Sequence, residues 1–112
     1  MLAAWRRWGP GALDRLCGGF AFVLWDARTR RLTAVRDRFG IQPLAYAAAP
    51  GRVVVAGDLS TVLAGLDTPP ETDRAWVAVF LSGQPLDAVR TAWRGVLRLP
   101  PGHLMVVEPD GT

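Results

Sequence analysis

Apolar and polar positions along this chain fall into short blocks whose period changes several times. The plainest block is Phe20 to Trp25, six apolar residues in a row. Side chains of a strand alternate between faces, so Phe20, Phe22 and Leu24 share one side and Ala21, Val23 and Trp25 the other. Both sides are apolar, which predicts a strand buried on both faces and covered by two layers. A polar stretch, Asp26 to Arg30, reads as the turn of a β-hairpin, and Leu32 to Arg36 as its returning arm, with Leu32 and Ala34 opposed to Thr33 and Val35.

Around this hairpin the pattern predicts elements of both kinds. Leu2 to Trp8 has the spacing of one helical face and is stopped by Gly9, Pro10 and Gly11. Ala12 to Cys17 reads as a second short helix closed by Gly18 and Gly19. Leu44 to Ala49 and Arg52 to Ala56 form a strand pair about Pro50 and Gly51, since a run of valines favours strand. Asp58 or Ser60 then caps a helix through Val62, Leu63 and Leu66. After a linker at Asp67 to Thr72, Asp73 to Leu81 suits a largely buried helix ended by Gly83 and Pro85, and Arg90 to Arg94 suits a short helical turn. The last part predicts a brief strand, a turn at Pro100, Pro101 and Gly102, and a strand from His103 to Glu108 closed by Pro109, Asp110 and Gly111. No internal repeat is present.

The segment Arg36 to Leu44, RDRFGIQPL, follows the hairpin as a shaped bend. Gly40 supplies a positive φ and Pro43 fixes its own φ while pushing Gln42 toward extended geometry; Phe39 and Ile41 are placed as core anchors. Asp37 lies between two arginines, so the structural expectation is a loop tied down by salt bridges. The functional expectation is that Arg36, Asp37, Gly40 and Pro43 brace an active site that the loop does not itself supply.

Composition narrows the function classes. Half of the 112 residues are hydrophobic and 21% are charged, which suits a folded domain and not a disordered segment. All thirteen basic residues are arginine, spread from Arg6 to Arg98, and the net charge is +3. A nucleic-acid surface concentrates its cations, so no nucleic-acid partner is expected. No apolar run reaches membrane-spanning length, and MLAAWRRWGP is not built like a signal peptide, which makes the expected location cytoplasmic. Cys17 and His103 are the single residues of their kinds, so neither a disulfide nor a metal site is read from spacing. His103 reads as a turn-flanking residue and Cys17 as a small hydrophobe.

Five motifs in order, GGFAFVLWD, RDRFGIQPLAYA, AGDLSTVLAG, FLSGQPL and GVLRLPPGH, resemble the class II glutamine amidotransferase domain of the asparagine synthetase family. The resemblance runs from about Trp8 to Met105. It implies an α+β fold, the amino-terminal-nucleophile hydrolase αββα sandwich of antiparallel sheets, present over residues 1–112 without its N-terminal strands. Such domains hydrolyse glutamine and pass ammonia to a synthetase domain that activates a carboxylate with ATP. The family's nucleophile is an amino-terminal cysteine whose α-amino group acts as base. This chain starts Met1-Leu2, Cys17 matches no catalytic position, and the family's glutamine-binding arginine, Asn-Gly-Glu and Gly-Ser-Asp segments are not found in it. No catalytic residue is therefore carried over, and the chain is expected to lack glutaminase activity on its own.

Two departures from the family pattern, Gly57-Asp58 for a Ser-Glu pair and Ala45-Tyr46 for an aromatic pair, point toward relatives such as the lasso-peptide macrolactam cyclase. ATP and magnesium are expected only in an associated synthetase or cyclase domain, which is the expected partner together with a peptide substrate. The alternative expectation is a non-catalytic docking module that uses an exposed sheet edge and can form an oligomer.

Overall fold

A computed structural model describes residues 1–110. It contains α1 (Leu2–Trp8), a 3-10 helix (Gly9–Arg15), β1 (Ala21–Asp26), β2 (Arg31–Arg36), β3 (Ala45–Ala49), β4 (Arg52–Ala56), α2 (Leu59–Ala64), α3 (Arg74–Leu81), β5 (Val96–Arg98) and β6 (Leu104–Val107). The expected Pro109 to Gly111 turn begins within the described residues, and Gly111 lies outside them. The strands form two antiparallel sheets, in the orders β1-β2-β6 and β4-β3-β5. This is an α+β architecture.

In the first sheet Ala21 pairs with Arg36 and Trp25 with Leu32, while Ala34 pairs with Met105 on the other side. Directly paired residues share a face. One face therefore carries Ala34 and Met105, which pack with Leu44, Leu99 and Val55 of the second sheet and its flanks. The other carries Phe22, met edge-on by Trp5 of α1 with ring centroids 6.1 Å apart. In the second sheet Ala45, Ala47 and Val96 pack against Val62, Leu59 and Leu63 of α2. The layers thus run helix, sheet, sheet, helix. The Cα radius of gyration is 15.2 Å, against about 13 Å for a compact chain of this length, so the layers are spread rather than clenched.

Four expectations are corrected. The strand buried on both faces is β2, whose Thr33, Ala34 and Val35 are all buried. β1 is a sheet edge, and its Val23 and Trp25 are exposed, because the second sheet covers the β2 and β6 side only. The helix α3 is not largely buried: it has no buried residue, and Phe80 and Leu81 are exposed. Arg90 to Arg94 is not helical. There the buried Thr91 hydroxyl donates to the Val96 carbonyl (2.6 Å) and accepts from the Trp93 N–H, and bridges join Thr72 to Trp93 and Arg90 to Leu97. A threonine that ties its own backbone competes with helix. The second short helix is of 3-10 type and begins at Gly9, since Pro10 fits the first turn of a helix and the short glycine-rich run favours the tighter winding.

Asp58 caps α2 and Asp73 caps α3, each accepting from the backbone N–H three residues on. Both carboxyls are held below the ordinary range. For Asp58 the Thr61 N–H is the main cause, and for Asp73 the Arg90 guanidinium, which lies 2.6 Å away.

Candidate functional site: the Asp37 loop and its groove

The segment from Arg36 to Leu44 leaves β2 and crosses to β3, so it joins the two sheets. Asp37 is its centre, at 1% exposure. One carboxylate oxygen accepts from the N–H groups of Phe39 (3.1 Å) and Ile41 (3.0 Å). The other accepts from Phe20 (3.3 Å) and Gln42 (3.1 Å). Its own N–H donates to Phe20 (2.9 Å), and its carbonyl accepts from Gly40 (3.1 Å) and Gly102 (2.8 Å). Burial alone raises a carboxyl pKa, but the N–H donors, Ile41 foremost, outweigh it, and the net shift is downward.

Arg36 does the complementary work. Its guanidinium donates to the carbonyls of Gln42 (2.7 Å), Leu99 (2.7 Å) and Gly40 (2.8 Å). Asp37 pairs with neither arginine, which corrects the salt-bridge expectation: carboxylate and guanidinium each take backbone partners of the opposite polarity. Buried N–H and C=O groups in an irregular segment need such partners, because no ladder supplies them. The ion pairs of the described residues lie elsewhere: Arg31 with Glu108, Arg52 with Asp67, Arg90 with Asp73 and Arg94 with Glu71.

Gly40 is required twice over. It has φ +64°, and a Cβ there would stand 2.7 Å from Pro101 Cγ and 3.1 Å from Arg36 Nη2. Arg36, Asp37 and Gly40 thus converge, whereas Pro43 is exposed and lies beside a separate shallow groove with Phe22 and Gly57. Phe39 and Ile41 are not core anchors. They are 80% and 61% exposed, because the carboxylate draws their N–H groups inward and turns the side chains out.

Those two side chains form one wall of a groove of about 640 Å³, whose other lining includes Leu13, Leu16, Cys17, Phe20 and His103. Cys17 is exposed. The His103 Nδ1 lies 2.8 Å from the Pro101 carbonyl. A carbonyl only accepts, so Nδ1 carries the proton in that contact and the neutral ring keeps Nε2 as its basic nitrogen. Sequence reasoning did not find the Leu99 carbonyl or the Gly102 N–H as loop partners. The Pro100-Pro101-Gly102 turn was their only trace. Among the described residues, no three His, Cys, Asp or Glu side chains come together to hold a metal ion. Asp58 and Asp73 cap helices, and Asp37 is sealed inside the loop.

A family model described as a glutamine amidotransferase domain matches residues 1–112. The chain belongs to that family. An amidase, chyE, of Penicillium rubens is 38% identical over 112 residues, covering 98% of this chain and 16% of its own length. A putative glutamine-hydrolysing asparagine synthetase of Mycobacterium tuberculosis is 37% identical over 115 residues, covering 98% of this chain and 17% of its own. Asparagine synthetase 3 of Bacillus subtilis, also glutamine-hydrolysing by name, is 27% identical and 99% of this chain is covered. The chain spans about a sixth of the length of the first two relatives.

Proposed function

We propose that residues 1–112 are the scaffold half of the glutamine amidotransferase unit of an asparagine synthetase-like, ATP-dependent amide-forming protein, and that they do not hydrolyse glutamine by themselves. The observation that carries this reading is the state of the one thiol. Cys17 is exposed at the groove and makes no hydrogen bond or ion pair among the described residues. Thiol attack on an amide needs a positioned base and donors for the developing oxyanion. The best organised donors, the N–H groups of Phe39, Ile41 and Gln42, are already spent on Asp37. The loop therefore shapes and stiffens a site and leaves the chemistry to other residues. The helix-sheet-sheet-helix layering supports the amino-terminal-nucleophile hydrolase reading of the fold.

The test is ammonia release from glutamine by the purified chain. The expected rate is that of buffer. A rate above buffer that is lost in Cys17→Ala overturns the proposal.

A second reading has its own support. Phe39 and Ile41 are large, exposed and rigidly presented, which is the character of an interface anchor. On that reading the loop docks a synthetase or cyclase domain, where ATP and magnesium bind, or that domain's peptide substrate. Loss of capture of a co-expressed synthetase domain in Phe39→Ala, with unchanged melting, distinguishes it from a purely internal role.

A further inference from the structure

We propose that α3 is a latch with two placements: the closed one described above, and an open one in which the helix leaves its seat and unwinds as far as its Asp73 end. The inference is independent of whether glutamine is hydrolysed.

The observation that carries it is the Trp76 indole. Its Nε1 is closed off from solvent and has no acceptor among the described residues. The ring of Phe80 does not serve, because the two rings stack 9° from parallel with centroids 5.4 Å apart. A stacked ring meets the face of the indole, whereas the N–H lies in its plane. A buried donor without a partner forfeits the hydrogen bond that it makes with water in the unfolded chain. The closing off is done by residues of this chain. No acceptor on another chain, or on any further part of the same domain, therefore reaches the N–H while α3 stays in place. Only movement of the helix relieves it.

The ties of the helix permit that movement and locate its pivot. They are dense at the Asp73 end. Asp73 N–H donates to the Ala92 carbonyl (2.7 Å), its carboxylate accepts from the Trp76 N–H (3.1 Å) and from Arg90 (2.6 Å), and Arg94 N–H donates to the Glu71 carbonyl (2.8 Å). Beyond that end every bond turns back on the helix itself. Val77 N–H donates to Asp73, Ser82 N–H to Ala78, Gly83 N–H to Phe80 and the Ser82 hydroxyl to Val79. Neither buried cluster takes a side chain from α3. Gly83 turns the chain at φ +71°, and among the described residues the next hydrogen bond to the sheets is at Val89, whose carbonyl accepts from the Arg98 N–H (2.7 Å).

A helix of eight residues does not persist in water without support. Release of Trp76 therefore unwinds α3 up to its anchor, while both sheets and the Asp37 loop stay as they are. A local opening of this kind has its own free energy, below that of global unfolding.

Native-state hydrogen exchange, followed residue by residue, tests the latch. The amides of Val77, Ser82 and Gly83 are expected to exchange through an opening at least about tenfold more populated than the one that frees the amides of Leu99 and Gly102. Added urea should promote the α3 opening less steeply, since it exposes less surface. Replacing the Trp76 indole by benzothiophene keeps the bicyclic shape and removes the N–H, and the protection of the α3 amides is then expected to rise about fivefold or more. Exchange of the α3 amides with the same population and the same urea dependence as Leu99 and Gly102 overturns the proposal, a result that needs only the wild-type chain. Protection that is unchanged or lower in a folded benzothiophene variant overturns it equally, the indole N–H then having a partner in the closed placement.

Discussion

The loop around Asp37 and the helix α3 invert the usual relation between regularity and order. The loop has no repeating structure, yet its central carboxylate is 1% exposed and engages four N–H groups. The helix is regular, yet none of its residues is buried, and its Trp76 and Phe80 rings stack on each other 5.4 Å apart rather than into a core. It is held at its start, by the Asp73 cap, by the bond from Asp73 N–H to Ala92 (2.7 Å) and by Arg90. What fixes a segment is the number of its polar groups matched out of solvent, and periodicity is only one way to match them.

That contrast can be broken by substitution. Asp37→Ala strands four N–H groups in a closed loop, and the melting temperature is expected to fall by about 10 °C or more. The same carboxylate sets the acid response. Its pKa is lowered on folding, from an ordinary value of about 3.9, so its contribution is complete above that value and is lost as pH falls through the folded one. Melting followed from neutral pH downward should therefore show a decline that Asp37→Ala makes shallower. Equal acid sensitivity in the two proteins would place the titrating group elsewhere.

Gly40→Ala is next. A left-handed φ costs a side chain roughly 1–2 kcal/mol, and the contacts with Pro101 and Arg36 add about 1–3 kcal/mol of overpacking. Chemical denaturation should show a loss of about 2–5 kcal/mol. The smallest effect belongs to the helix: Leu81→Ser, at a position 77% exposed, should change stability by no more than about 0.5 kcal/mol. A larger loss would mean that α3 is packed against something in solution and would end the contrast.

Much of the fold was legible because it rests on local signals. The returning strands, the valine-rich β4 and the cap at Asp58 follow from alternation and from a carboxylate placed just before an apolar run. What was not legible depends on the strand order. Phe20 to Trp25 reads as a core strand in composition, and only its place at the edge, with β2 between it and β6, exposes Val23 and Trp25. The candidate site was half legible. Arg36, Asp37 and Gly40 stand out as a constellation, but a charged pair adjacent in sequence suggests mutual attraction. Their actual partners, as distant as Leu99, cannot be read from spacing. Phe39 and Ile41 fail for a related reason: hydrophobicity predicts burial of a side chain, and here the backbone was the part drawn inward.

The partners of the loop also differ in how far along the chain they lie. Asp37 takes its N–H donors from residues no more than 17 positions away, all of them between Phe20 and Gln42. Arg36 reaches Leu99, 63 positions on, and the Asp37 carbonyl waits for Gly102. Closing a short chain loop costs less entropy than closing a long one. As the protein emerges from the ribosome the carboxylate, and two of the three carbonyls that Arg36 holds, can be satisfied while the third, of Leu99, is still to come. The bend thus sets in two stages, a local one that fixes its shape and a late one that fastens that shape to the Pro100–Pro101 turn.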